Sequence, residues 1–460
     1  VIPLIDFINR KDFAMQYPIW DVPILGGGMV IAIIAIVHVV VAHFAVGAGL
    51  FTAWAEWRAL RTNDQLMLKF LKDFSKYLIL GPFIFGALTG VAIWFSISLV
   101  SPDATSALIH QFVWGWATEW VFFLVEIVAG YVYYYTWGKL SPGRHNMVGW
   151  IYAISAFMSL VIINGILTFM LTPGAWIETR FFWDAFLNPT YWPSLALRTI
   201  SAMSLVGIFV AIIANLVKDY TREERHHIIT AGGKWLIPMA LMAPVSVWYF
   251  MYVPEAAVQM ISGGAIAMTM FFMFGVAAST LVGLYAYFGL VWNKRYVNLE
   301  TAILLGMIAF IATGAMEFVR EGVRKPYIIY DYMYSNGILV DDVERLQQEG
   351  TLAWAPWTLV RLGADPENLS IEQRGEALFA AQCSRCHTLD GVNGIKPLIL
   401  NWPEDSIRHS LEKLHIEQLF MPPFVGPEED LKAMTQYLLN LHREQEAAMG
   451  LRSATSERKS

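Results

Sequence analysis

The chain has 460 residues, 56% of them hydrophobic and only 15% charged, with a formal net charge of −6. That is more apolar side chain than the core of a soluble protein of this length can bury, so the surplus must face lipid. There is no internal repeat and no nucleotide- or nucleic-acid-binding motif, which removes nucleic acid as a partner.

Taken in chain order, residues 1–28, with Trp20 and several prolines, read as an outer interfacial segment. Apolar stretches long enough to cross about 30 Å of hydrocarbon at 1.5 Å per residue then recur. They fall near 30–56, 79–101, 112–137, 147–172, 195–217, 233–253, 262–292 and 300–321, and the seventh has the look of a tilted or broken span. Basic residues gather after the odd spans: Arg58, Arg61, Lys69, Lys72 and Lys76; Lys139 and Arg144; Lys218, Arg222, Arg225 and Lys234; Lys294 and Arg295. The other connections carry only Arg180. An excess of Lys and Arg marks the cytoplasmic side, so both termini are expected in the periplasm, with the chain crossing a bacterial inner membrane eight times.

Residues 327–370 form a connector rich in aromatic and polar side chains (Tyr327, Tyr330, Tyr332, Tyr334, Trp354, Trp357), too polar for a ninth span and expected on the outer membrane face. The two cysteines of the chain follow in Cys383-Ser384-Arg385-Cys386-His387. In this spacing both thiols add to haem vinyl groups and the adjacent histidine ligates iron, which makes covalent haem c the expected cofactor. A disulfide or half of a zinc site is the other reading, but no second cysteine pair exists to complete the latter. A helix over about 375–383 leads into the motif, and an amphipathic helix near 427–443 closes a small domain over 371–446. The sixth iron ligand is assigned to Met421, within Phe420-Met421-Pro422-Pro423-Phe424, with His409 and His415 as rivals. Residues 447–460 read as a disordered charged tail. Haem is attached to such motifs outside the cytoplasm, in agreement with the charge-derived topology. The expected fold is all-α: an eight-helix transmembrane bundle over 29–326 and a small α-helical cytochrome c domain.

Ionisable residues inside a span are costly, and each is a functional candidate. The first span holds His38, His43 and Glu56, the third Glu119 and Glu126, the eighth Glu317 and Glu321, and the fifth opens with Arg198. His38 and Glu56 share a helix face but lie roughly 27 Å apart, too far to serve one metal. His43 points about 140° away from His38. His38 and Glu119 each lie about 10 Å in from the outer surface, with Glu321 near that surface and Met273 of the seventh span a little deeper. A histidine, carboxylates and a thioether are therefore expected in the outer leaflet. Read simply as packing, each would be a satisfied polar group, Met273 an apolar filler and Glu56 a snorkelling charge.

Four patches resemble subunit I of the bd-type terminal oxidases, in the same order and topology. They are the run from His38 through Gly47 to Glu56; Glu119 and Glu126, spaced one residue shorter than in that family; Met273 in Phe271-Phe272-Met273-Phe274-Gly275; and Glu321-Gly322-Val323-Arg324-Lys325-Pro326-Tyr327. The resemblance implies His38 as axial ligand of an oxygen-reacting haem, Glu119 as a carboxylate opposite it and Glu126 as part of a proton path. It also implies Glu321 as ligand of a neighbouring high-spin haem, Arg324 holding propionates and Met273 on a low-spin haem. Arg198 stands where that last haem's histidine is expected, and the connection from Pro254 to Ser262 is too short for the family's quinol loop. His43 has no counterpart and is a candidate ligand for a displaced haem or a copper ion.

The expected function is electron transfer ending in oxygen reduction, with haem b and haem d in the membrane, a periplasmic cytochrome c as donor and a subunit II-like partner in the bilayer. Two rivals are a quinol–cytochrome c oxidoreductase and a non-catalytic electron relay within a larger respiratory assembly.

Overall fold

The computed structural model describes residues 16–293, 296–324 and 327–457. The first fifteen residues, the pairs 294–295 and 325–326, and 458–460 lie outside it, and with them part of the outer segment, Lys294, Arg295, part of the eighth-span signature and the tail's end. Among the described residues, eight helices are long and apolar enough to cross a membrane: α1 (Gly27–Thr62), α2 (Gln65–Val100), α3 (Val113–Tyr135), α4 (Pro142–Phe169), α5 (Tyr191–Leu216), α6 (Arg222–Phe250), α7 (Ile266–Leu290) and α8 (Leu299–Arg324).

The expected spans all appear, with instructive differences at their ends. The second begins at Gln65, because its first turns (Gln65–Leu78) are amphipathic: Met67, Phe70, Leu71, Phe74 and Leu78 are buried while Lys69, Lys72 and Lys76 face away. Two irregular stretches coincide with prolines, which cannot donate to the helical ladder: a π-helical stretch, Ile79–Gly86, holds Pro82, and a 3-10 stretch of α6, Lys234–Leu241, holds Pro238. The seventh span is interrupted at its start, where Ser262 and Gly263 leave helical geometry and Gly263 adopts φ +116°.

The chain divides into two compact units. The larger, 32–94 and 108–323, is the helix bundle. Its helices approach through small residues, as membrane helices do when no hydrophobic effect drives them together. A Cβ at Gly47 of α1 would stand 2.0 Å from the carbonyl oxygen of Ala202 in α5, so only glycine permits that crossing. Large side chains such as Trp114, Val91 and Phe95 remain exposed, as lipid-facing residues should.

The smaller unit, 1–31, 95–107 and 324–460, carries the C-terminal domain. An antiparallel pair, β1 (Tyr327–Ile329) and β2 (Met333–Tyr334), precedes two short helices. Helices α9 (Ile371–Gln382), α10 (Glu404–Glu417) and α11 (Glu428–Glu457) then enclose a core of Leu378, Phe379, Ile407, Met434 and Leu438, joined by Leu352 and Leu359 of the connector. Ser370 and Gln373 form a capping box at the start of α9. The helix α11 runs on to Glu457, through most of the segment read as a disordered tail. The described part of the N-terminal segment binds this domain: Trp354 accepts from the Gln16 amide at 2.6 Å, and Ile24 from Val392 at 2.8 Å.

Candidate functional site

The haem-attachment motif sits where α9 ends. Backbone bonds from Cys386 and His387 back to the Cys383 carbonyl (3.1 and 2.9 Å) wind it into one turn. The two thiols are free rather than bonded to each other. Burial, and the Cys386 thiol beside it, push Cys383 up to about 12, so that as a free thiol it is inert. His387 Nδ1 lies 3.0 Å from the Asn393 carbonyl oxygen. A carbonyl only accepts, so Nδ1 carries the proton and Nε2 keeps its lone pair for a metal.

The methionine loop is tied to the motif by a residue the sequence reading passed over. Gln382, immediately before Cys383, donates to the Val425 carbonyl at 2.7 Å and accepts from the Val425 amide at 2.9 Å. Both rivals of Met421 make hydrogen bonds of their own. His415 Nδ1 donates to the Met421 carbonyl at 2.6 Å, and the exposed His409 pairs with Glu417 at 3.3 Å. The thiol pair, a histidine with a free Nε2 and a clamped methionine loop fit a c-type haem.

In the helix bundle the same tautomer logic applies twice. His38 Nδ1 is 3.0 Å from the Thr89 hydroxyl oxygen in α2, and Thr89 gives its own hydrogen to the Phe85 carbonyl at 2.6 Å. His38 must therefore donate through Nδ1 and present a bare Nε2. Gly90 packs against this ring, where a Cβ would stand 3.3 Å from Cε1. His43 is buried and donates through Nδ1 to the Val39 carbonyl at 2.8 Å, while its Nε2 has no hydrogen-bond partner among the described residues. His43 lies one turn before Gly47, on the face turned to α5, and Arg198 lies one turn before Ala202 there. The two histidines thus address different helices, as their spacing implied. Locking one ring nitrogen so that the other can bind iron is the usual support of a metal-ligating histidine.

The carboxylates divide into groups. Glu119 accepts from Ser159 of α4 at 2.6 Å, and Glu126 is buried on α3. Glu317 and Glu321 of α8 both accept from Arg320, a residue with no assigned role in the sequence reading, which bridges them and offsets one of their two negative charges. Arg324 is buried at the end of α8. Met273 is 65% exposed on α7 and is not gathered into this group. Glu56 is 2% exposed, which removes the snorkelling reading. It is bonded at 2.6 Å to His145, a histidine the sequence reading had also left aside.

A bundle whose histidines are poised as ligands, with a Cys-x-x-Cys-His domain after it, defines a membrane haem protein of electron transport. The comparisons place its parts more closely. Residues 29–252 match the family model of cytochrome bd terminal oxidase subunit I, and residues 371–438 match that of cytochrome c oxidase, cbb3-type, subunit III. The fold is similar to the solved structure of bd oxidase from Geobacillus thermodenitrificans, with a TM-score of 0.59 and 17% identity, over 71% of this chain and 94% of that one. No curated protein sequence matches. The chain therefore joins a membrane domain like bd oxidase subunit I to a cytochrome c domain.

Proposed function

We propose that the chain is the core of a bd-like oxidase that accepts electrons at its own c haem and delivers them to membrane haems, where oxygen is reduced. What supports this most is the shared chemistry of His387, His38 and His43: in each, Nδ1 is committed to an oxygen acceptor, leaving Nε2 for iron. Bound iron porphyrin would supply the electron storage and the oxygen chemistry, which no side chain here can perform.

The chain's own residues do the rest. His387 and Met421 hold the c-type iron, with Cys383 and Cys386 anchoring its macrocycle. His38 holds the oxygen-reacting haem, of b or d type, and Glu321 with Arg324 serves a neighbouring one. Glu119, aligned by Ser159, holds a proton for the reacting centre, and Glu126 passes protons toward it. His43 holds a further haem or, less in keeping with its single free donor, a copper ion. The c domain faces the periplasm and draws on a periplasmic cytochrome c, while the exposed apolar helices seat a subunit II-like partner. The test is a dithionite-reduced spectrum with and without carbon monoxide, together with pyridine haemochrome analysis. A carbon monoxide shift in a non-c haem, lost in His38→Ala, is expected; its absence from the wild type makes the chain an electron relay instead.

A further inference from the structure

Two polar stripes face each other along the α3–α4 seam. On α3, Glu119, Glu126 and Tyr133 recur at intervals of seven; on α4, running the opposite way, so do His145, Tyr152 and Ser159. A seven-residue interval keeps side chains on one face, and the two helices meet rung by rung. Ser159 bonds Glu119 at 2.6 Å, Tyr152 lies within electrostatic reach of Glu126, and His145 Nε2 bonds the Tyr133 carbonyl at 2.9 Å.

The last rung, on the side of the basic loops, is the most elaborate. Glu56 of α1, His145 and Tyr133 are 2%, 3% and 1% exposed, and the imidazole is flanked by the rings of Tyr133 and Trp137 at 4.4 and 4.2 Å. His145 must keep a hydrogen on Nε2, since the Tyr133 carbonyl only accepts. Its Nδ1 lies 2.6 Å from Glu56 Oε1. Two lone pairs cannot face each other at that distance, so the pair holds one further proton, on the carboxyl or on the imidazole. In either form it is neutral overall, as so buried a pair requires. Glu56 Oε2 and the Tyr133 hydroxyl are sealed from solvent, and the hydroxyl stands beside the Glu56 carboxyl, within reach of it as a hydrogen-bonding neighbour. This leaves the stored proton a way on toward the next rung.

We propose that Glu56 and His145 form the loading site of a proton wire along the α3–α4 seam, with Tyr133, Glu126 and Glu119 as its successive stations. The proton shared by Oε1 and Nδ1 leaves past Tyr133 toward Glu126, and one from the aqueous side bearing Arg58, Lys139 and Arg144 replaces it. One proton is transferred and no electron moves. Successive rungs lie about 10 Å apart along the helix axis, beyond direct transfer, so water carries the proton between them. This inference rests on the proton-consuming function proposed above, and it extends the path from Glu126 to the opposite membrane surface.

The test uses the purified holoprotein and Glu56→Gln, whose amide can still bond His145 but cannot release a proton. Proton uptake is followed with an indicator dye as the reduced protein meets oxygen, and the carbon monoxide spectrum is recorded in parallel. Uptake slowed tenfold or more with the carbon monoxide spectrum unchanged is expected; uptake within twofold of wild type overturns the loading site. Should the wild type bind no carbon monoxide, the oxygen-reducing function fails on its own terms. The site is then judged by redox-induced infrared difference spectra. A carboxyl or imidazole signal abolished by Glu56→Gln supports it, and spectra identical in variant and wild type overturn it.

Discussion

Arg385, the third residue of the haem-attachment motif, is ion-paired with Asp103, 282 positions earlier in the chain, and the Arg385 side chain is only 3% exposed. Gly337 closes over the pair at φ +88°, where a Cβ would stand 2.7 Å from the Asp103 carboxylate. The haem motif is thereby fixed to residues 101–107, a stretch of the same compact unit.

Removing one partner of a buried ion pair leaves the other charge uncompensated, at about 3–5 kcal/mol, whereas replacing both by apolar groups is close to neutral. Asp103→Ala should therefore lower the unfolding free energy, read from the denaturant transition of the haem c absorbance, by about 3–5 kcal/mol. Asp103→Ala combined with Arg385→Met should recover most of it. Equal losses in Asp103→Ala and in the double variant would mean that Arg385 left without its partner carries no burial penalty.

Thioether ligation raises the potential of a c-type haem relative to most other sixth ligands. Met421→Ala should lower the midpoint potential of the c haem while leaving it covalently bound, and Cys386→Ala should reduce haem staining on a denaturing gel. Gln382→Ala, which frees both polar groups of Val425, should produce a weaker version of the Met421 effect by loosening the loop. An unchanged potential in Met421→Ala would move the sixth ligand elsewhere.

The spans and the attachment motif were readable because each depends on neighbours in sequence: a run of apolar residues for a span, five consecutive residues for the motif. The start of α2 is not legible from hydropathy, because Lys69, Lys72 and Lys76 keep it below that of a span, although Met67, Phe70, Leu71 and Phe74 have the spacing of a buried face. Pairings such as Glu56 with His145 and Asp103 with Arg385 depend on how helices rotate and pack, which single-chain periodicity does not encode, whereas Arg320 with Glu317, three residues apart on α8, follows from helical spacing. Met273, 65% exposed on α7, is a position that motif context alone could not place.

His38 and His43 address different helices, so their substitutions should separate. His38→Ala is expected to abolish the carbon monoxide shift. His43→Ala should lower the non-covalent haem content by one per chain, or remove a copper ion detectable by metal analysis, while the carbon monoxide shift survives. Full haem and metal content in His43→Ala would reduce that residue to packing between α1 and α5.

Asp64 begins α2, its Oδ1 accepting the Met67 amide at 2.9 Å and its Oδ2 lying 2.9 Å from His227 Nε2 of α6. Partial burial acts to raise its carboxyl, but the Met67 amide and His227 outweigh this and hold it below the usual aspartate range. A carboxylate depressed in the folded state stabilises it above the unfolded value of about 3.9, and that contribution fades as pH falls through the folded value. Asp64→Ala should thus cost about 1 kcal/mol near neutrality, as loss of a helix cap does. The difference from wild type should shrink as the melting curves are taken below about pH 4. A cost independent of pH would assign the effect of Asp64 to packing rather than to the charge of its carboxylate.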